Sequence, residues 1–339
     1  MTRRATILDI AKRAGVSAKT VSRVVNDEPY VRDNVRKRVK AIARELDYHP
    51  NVNAQGLISR RNFLIGLTYE RPSPSYVVDL QRGALERLKG ERYRLVVLPF
   101  ADASENPSEL VALLRSAMLD GVLLASPSCD LPEVMDALDA AGIRYARITP
   151  GTDPDRGASA LLDDSAAAEA MAQHLLDLGH RRFGVILGRR AHAAAHSRLK
   201  GYQAAFDRAG IAEEDILIEQ GDFTFAGGTA AAKRLLGLVE RPTAILAQND
   251  DMGAATILVA RELGIAVPQE LSVAGFDDAE ISRLCWPPLT TVEQPVAEIA
   301  ADATDRLLKL LEGELLEDPR THRHCVRIRQ STAAPASGD

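Results

Sequence analysis

The sequence predicts two unlike parts: a small all-helical head carrying a helix-turn-helix, and a larger α/β body of parallel sheets covered by helices. Three observations predict this. The first 49 residues show apolar spacing of helical period, with cap and turn residues at each break. From Phe63 onward, short apolar runs alternate with amphipathic stretches, the pattern of strand–helix–strand units. Charge divides the chain in the same place. Residues 1–61 hold 14 Lys and Arg against 6 Asp and Glu, net +8, and the remainder holds 28 against 41, net −13. A basic head on an acidic body assigns polyanion binding to the N-terminal part and keeps the rest off the polyanion.

Within the head, Thr6 precedes an apolar-periodic run with Asp9 three residues on, a helix start of capping-box type. Ile7, Ile10, Ala11 and Ala14 then share one face, and Gly15 ends the helix. Ser17 offers a cap for a second helix that buries Val21, Val24 and Val25, with Ala18, Lys19, Ser22, Arg23 and Asn26 pointing away. Two short helices joined by a tight glycine turn, the second with a polar, basic outer face, make a helix-turn-helix sized for the major groove. On spacing alone a plain solvated hairpin stays open. A third helix, about Asp33–Glu45, closes the core with Val35, Val39, Ile42 and Leu46. Its outer face carries Arg36, Lys37, Arg38 and Lys40, which suit phosphates and add affinity rather than specificity. Pro50 then breaks the chain.

The run Ile10-Ala-Lys-Arg-Ala-Gly-Val-Ser-Ala-Lys-Thr-Val-Ser-Arg-Val-Val-Asn26, followed by Leu46-Asp-Tyr48-His-Pro50-Asn51-Val-Asn-Ala54-Gln-Gly-Leu57, resembles the lac repressor (LacI/GalR) family of bacterial transcription regulators. The resemblance implies a helix-turn-helix DNA-binding domain over residues 1–49, a hinge over 50–61 and an effector-binding and dimerisation domain over 62–335. It implies DNA contacts from Thr6, Ile7, Ser17, Ala18, Lys19, Thr20, Ser22, Arg23, Asn26 and Tyr48. Among these, Lys19 and Arg23 would donate to base edges and Ala18 would touch a thymine methyl. In the hinge it implies minor-groove contacts from Asn51 as anchor, Ala54 at the close-packing position, Gln55, and Leu57 as the wedge that unstacks a base step. Two departures from the family pattern stand out. Arg32 and Val35 replace a usual Ser and Thr, which removes a hydroxyl cap from the third helix. Gln55 and Gly56 replace stronger helix formers, and a glycine costs a helix about 1 kcal/mol. The hinge is therefore expected to be disordered without DNA.

In the body, expected strands are Leu64–Tyr69, Leu95–Phe100, Val122–Ala125, Tyr145–Ile148, Phe183–Leu187, Ala244–Ala247 and Leu271–Phe276. Helical stretches between them include Tyr76–Lys89, Leu131–Ala141, Ala166–Leu178, Arg198–Ala209 and Asp251–Leu263, with Gly90, Gly142, Gly179, Gly210 and Gly264 at their ends. Ligands of such sheets bind beyond the carboxyl ends of the strands. The resemblance continues through His174-Leu-Leu-Asp-Leu-Gly-His-Arg-Arg182, Asn249-Asp-Asp-Met252, Ser272-Val-Ala-Gly-Phe-Asp-Asp278 and Leu289-Thr-Thr-Val-Glu-Gln-Pro295. It implies the two-lobed fold of type I periplasmic binding proteins, with lobe one about 62–161 and 293–321 and lobe two about 162–292 and 322–335. It also implies effector contacts from Arg198, Asn249, Asp277 and Phe223, with Tyr76, Arg147 and Gln294 as further candidates by position. A guanidinium, an amide, a carboxylate and an aromatic face are what a polyhydroxylated ligand needs.

Other chemistry is not supported by motif. Neither G-x-x-x-x-G-K-[ST] nor G-x-G-x-x-G nor G-x-S-x-G occurs, so no cofactor and no enzymatic activity are expected. His192 with His196, and His322 with His324 and Cys325, lack the remaining ligands of a metal site. Of the doubled acids Asp163-Asp164, Asp250-Asp251 and Asp277-Asp278, one member each is expected to cap a helix or bind ligand rather than form a glycosidase pair. Trp286, the single tryptophan, is expected to pack. Three scattered cysteines, a charged N-terminus without an apolar signal region and the lack of an 18-residue apolar run place the protein in the cytoplasm, away from membranes. The implied partners are pseudo-palindromic double-stranded operator DNA, a small-molecule effector of sugar type, and a second copy of the chain. No leucine-heptad tail follows Ala333, which favours a dimer. The rival reading is a sugar-binding receptor with no DNA role, and the +8 head argues against it.

Overall fold

The computed structural model describes residues 5–25, 28–48, 61–70, 73–101, 103 and 105–336. The chain divides into two compact units at Phe63/Leu64. Asn26 and the hinge residues Asn51, Ala54, Gln55 and Leu57 lie outside the described residues.

Three helices build the head. α1 (Ile7–Ala14) opens on a reciprocal cap, in which Asp9 N donates to Thr6 Oγ1 at 3.3 Å and Thr6 N donates to Asp9 Oδ2 at 2.8 Å. Gly15 ends it at φ 64°, a left-handed conformation that a side chain would strain. At the start of α2 (Ala18–Val25), Thr20 N donates to Ser17 Oγ at 3.1 Å. α3 (Asp33–Glu45) begins without a side-chain cap at Arg32, as the departure from the family pattern predicts. Ile10, Ala11, Ala14, Val21, Val24 and Val39 form the core, and an Arg13–Glu45 pair at 2.9 Å ties α1 to α3.

Three details differ from expectation. Val25 is only half-buried. Ala18, expected to point away, is half-buried against the core, because the first turn of α2 starts at the core before its outer face turns away. Arg36, expected on the outer face of α3, is half-buried and donates to Glu28 O, a carbonyl between α2 and α3.

The body contains two six-stranded sheets. One is ordered β11-β5-β4-β3-β1-β2 from β1 (Leu64–Tyr69), β2 (Arg94–Pro99), β3 (Gly121–Leu124), β4 (Arg144–Ile148), β5 (Ala158–Leu162) and β11 (Thr321–His322). The other is ordered β12-β10-β9-β8-β6-β7 from β6 (Phe183–Leu187), β7 (Ile216–Gln220), β8 (Ala244–Ala247), β9 (Ser272–Asp277), β10 (Thr290–Glu293) and β12 (Cys325–Arg327). All pairings are parallel except β10 with β12. The chain thus passes between the sheets three times, after β5, β10 and β11.

Covering helices follow most strands. They are α4 (Pro74–Leu88), α5 (Pro107–Ser116), α6 (Pro132–Ala141), α7 (Asp164–Asp177), α8 (Ala193–Ala209), α9 (Phe225–Leu236), α10 (Asp250–Glu262), α11 (Glu280–Leu284) and α12 (Val296–Glu312). Parallel strands covered on both faces read as apolar runs, and β3 and β8 are buried throughout. α12 returns to the first sheet and packs on α4 and on β3 to β5. Two boundary shifts matter for the site. β9 runs on to Asp277, and α8 starts at Ala193, five residues before the expected Arg198, which places Arg198 in its second turn. Trp286 departs from expectation: it is 74% exposed and borders a surface groove with Ile257, Arg261 and Val267. No helix of the described residues is long and apolar enough to cross a membrane.

Candidate functional sites

On the head, Lys19 is exposed on α2, and Ser22 and Arg23 are half-buried beside it. Arg23 Nε lies 3.4 Å from Glu28 Oε2, an ion pair with both side chains more than two-fifths exposed, which holds the guanidinium only weakly. Ser17 and Thr20 share a hydroxyl contact of 2.9 Å ahead of them. Thr6 and Ile7 are half-buried at the start of α1, and Tyr48 packs against the core after α3. Lys19, Ser22, Arg23, Ser17 and Thr20 therefore form one basic, polar surface along α2 and its preceding turn, opposite the side that the apolar core buries. Lys37 and Arg38 are exposed on α3.

In the body, the carboxyl ends of strands from both sheets meet at one cavity. Ser73, Tyr76, Ser126, Thr149, His192, Ala194, Arg198, Phe223, Asn249, Asp277 and Gln294 line it. It takes in about 540 Å³ including its open mouth. Six of the seven effector candidates of the sequence meet here. Arg147 does not. It is fully buried within the first lobe, where its Nε donates to Cys129 O at 2.7 Å and its terminal nitrogens donate to the carbonyls of Thr152, Asp153 and Arg156. The loop after β4 needs those donors, and Arg147 serves as its brace rather than as a ligand contact.

Arg198 organises the cavity floor. Its Nε donates to Asp164 Oδ1 at 2.7 Å and its Nη1 to Gln248 O at 2.5 Å, with Asp277 Oδ1 at 3.6 Å. The guanidinium carbon stacks 3.6 Å from the centre of the Phe276 ring. Asp164 is the first residue of α7, whose start is capped by Asp163, so one acid of that pair caps the helix and the other holds the arginine. Asp277 accepts from Gln294 Nε2 at 2.6 Å and has φ 114°, a backbone conformation that non-glycine residues rarely take outside functional sites. Burial pushes its carboxyl up to about 7 despite the nearby Arg198. Asn249 caps α10 through Met252 N and donates to Phe223 O, so it shapes the cavity wall as it lines it. Asp250 and Asp278 are tied inside their lobe, the first by Thr291 and Ala279, the second by Arg329 and Ser282.

Phe223 closes one side at φ 67° and depends on a glycine opposite. A Cβ on Gly188 would lie 1.9 Å from its Cζ. His192, the residue before α8, stands 5.4 Å from the Phe223 ring. Ser73, Ser126 and Thr149 escaped the sequence reading as ligand-facing groups, and His192 stood outside the effector candidates. A serine or threonine after a strand carries no local signal, and the sequence assigns His192 only to a solvated or ligand-facing role rather than to the effector set.

Burial, and then the nearby Arg189 and Arg198 cations, push the His192 imidazole down to about 4. The unfolded chain therefore binds this proton between about pH 6.5 and 4, whereas the folded chain does not. By linkage, the group's contribution to stability is complete above pH 6.5 and is lost as pH falls through that window. His192→Gln is expected to flatten the pH dependence of the unfolding free energy between pH 6.5 and 4 by up to about 1.4 kcal/mol per pH unit. Urea titrations at several pH values check this, and an unchanged slope would contradict a buried neutral ring.

The comparisons with known proteins agree in both units. Residues 6–51 match the model described as bacterial regulatory proteins, lacI family, and residues 172–332 match a periplasmic binding protein-like domain. The ribose operon repressor of Escherichia coli (strain K12) is 33% identical over 337 residues, 97% of this chain and 100% of that one. The crystal structure of the lac repressor dimer bound to operator and the anti-inducer ONPF superposes with a TM-score of 0.84 at 26% identity, covering 98% of this chain and all of that one. The complex of the transcriptional regulator CelR with cellobiose gives 0.73 at 29% identity, covering 97% and 100%. With a relative one-third identical along nearly its whole length, the chain belongs to the LacI family of bacterial DNA-binding transcriptional regulators.

Proposed function

We propose that this regulator is a repressor that binds a pseudo-palindromic operator as a homodimer, with Lys19 and Arg23 reading base edges, and that a sugar in the body's cleft sets its affinity for DNA. It works in the cytoplasm and acts by binding its ligand rather than by transforming it. The observation that carries this reading is a cavity lined from both lobes, with Tyr76 on one side and Arg198, Phe223, Asn249 and Asp277 on the other. A ligand held from both sides favours one disposition of the lobes over another, and only such a differential interaction can shift an equilibrium. The solved relatives support the partners proposed: the lac repressor is a dimer on its operator, and CelR is in complex with cellobiose. Titrating the full chain onto a duplex operator by fluorescence anisotropy, with and without a sugar that raises its melting temperature, tests the reading. A change in affinity of at least about 5-fold, the lower end of allosteric couplings, is expected. Identical affinities would end the coupling proposal.

A further inference from the structure

A carboxylate stands beside the basic face of α2. Glu28, in the turn that follows the helix, places its Oε2 3.4 Å from Arg23 Nε. It is not among the DNA contacts that the family resemblance implies. An acid at this place repels the phosphates of any duplex, so general affinity for DNA is not what it adds. What it adds is order. Its backbone is tied to both neighbouring helices: Glu28 N donates to Arg23 O at 2.9 Å, at the end of α2, and Arg36 of α3 donates through Nη2 to Glu28 O. The carboxylate is therefore rooted at a fixed place beside the guanidinium.

The approach is made at Nε, the inner nitrogen, which leaves Nη1 and Nη2 at the tip to donate together. Guanine offers two acceptors, O6 and N7, to such a fork in the major groove. A long arginine side chain loses rotamer freedom when it binds, and one that is already aligned loses less. In water the pair is weak, since both side chains are more than two-fifths exposed. Inside the groove the same pair strengthens, because excluding water lowers the effective dielectric. At a base without paired acceptors the held fork keeps unmatched donors. The restraint also hinders it from swinging to a nearby phosphate, which sharpens discrimination.

Resting on the reading in which Arg23 contacts a base edge, we infer that Glu28 is a positioning residue. Its carboxylate holds the Arg23 guanidinium by Nε, so that Nη1 and Nη2 present a two-donor fork to one guanine in each half-site. Glu28 thus sets specificity through Arg23 and touches no base itself.

The test uses the full chain and a duplex that the parent selects from a random pool, together with single-base-pair variants of that duplex and one unrelated duplex. Anisotropy titrations give the affinities. Arg23→Ala is expected to abolish a preference of roughly 5- to 150-fold at one base pair of each half-site. Glu28→Ala is expected to lose about 3- to 10-fold of the preference at that same base pair and none at the others. It should bind the unrelated duplex at least as tightly as the parent, because a negative charge has left the DNA-facing surface. A merely structural role would instead weaken every duplex alike. Glu28→Gln keeps an acceptor without the charge, so it should fall between parent and Glu28→Ala, and it stands in should the alanine variant fold poorly. In an Arg23→Ala background, Glu28→Ala should change no base preference, the mark of a residue that acts through another. If Glu28→Ala leaves the Arg23 preference intact, lowers all preferences equally, or still alters one without Arg23, the inference is overturned while Arg23 stays a reader. If Arg23→Ala itself alters no base preference, the base-reading role of Arg23 falls and this inference with it.

Discussion

A chain with both Lys19 and Arg23 replaced by alanine is expected to lose its specific operator while remaining folded. Each good base contact contributes about 1–3 kcal/mol of discrimination. Together, the two should therefore weaken binding by roughly 30- to 10⁴-fold. Neither side chain holds up the head. Lys19 is exposed, and the Arg23–Glu28 pair, open to solvent on both sides, contributes at most about 1 kcal/mol. The core of Ile10, Ala14, Val21, Val24 and Val39 does not involve them. The double variant should thus melt near the parent temperature, and its loss should be larger on the operator than on unrelated DNA. Removing Lys37 and Arg38 from α3 instead should weaken both alike and flatten the salt dependence, by close to one unit of log–log slope per lost phosphate contact. Anisotropy titrations at several salt concentrations separate the two cases. Parental operator affinity in the Lys19/Arg23 variant would remove α2 as the reading element.

Why the head was so legible follows from how local its determinants are. Thr6 with Asp9, Gly15, and Ser17 with Thr20 act within three or four residues of one another, so their chemistry is visible in the string. In the body, β1, β6 and β8 occupy the spans expected of them because each is a short apolar run bounded by turn residues. β5, of sequence Ala-Ser-Ala-Leu-Leu, and β10, Thr-Thr-Val-Glu, are short runs interrupted or ended by a polar residue, and their neighbours in the sheet define them. The cleft was legible where a side chain carries unusual chemistry at a strand or helix end, as with Arg198 and Asp277. It was illegible where the role depends on which sheet comes to face which, as with Ser126 and Thr149. Arg147 shows the converse: a polar residue near a strand end looks ligand-facing until the loop carbonyls that it satisfies are seen.

Arg198→Met is expected to be the most damaging single change in the body. The arginine is 5% exposed and separates two carboxylates, Asp164 and Asp277, that would otherwise be buried with no cation between them. Breaking a buried ion pair from one side typically costs about 3–5 kcal/mol, because the remaining charge has neither water nor partner. Gln248 O would also lose its guanidinium donor, and Phe276 the planar group stacked on its ring. Lysine is not a conservative replacement here. A single ammonium cannot donate to Asp164 and Gln248 O in the same fork or lie flat on Phe276, so Arg198→Lys should recover only part of the loss. Combining Arg198→Met with Asp164→Asn and Asp277→Asn removes the stranded charges, and replacing all members of a buried ionic group is often close to neutral. The triple variant should therefore regain most of the parental unfolding free energy in urea while its operator affinity no longer responds to the cleft ligand. That separation distinguishes an arginine that merely braces the second lobe from one that also holds ligand: a stable triple variant that still releases or tightens on DNA as the parent does would reduce Arg198 to a structural group.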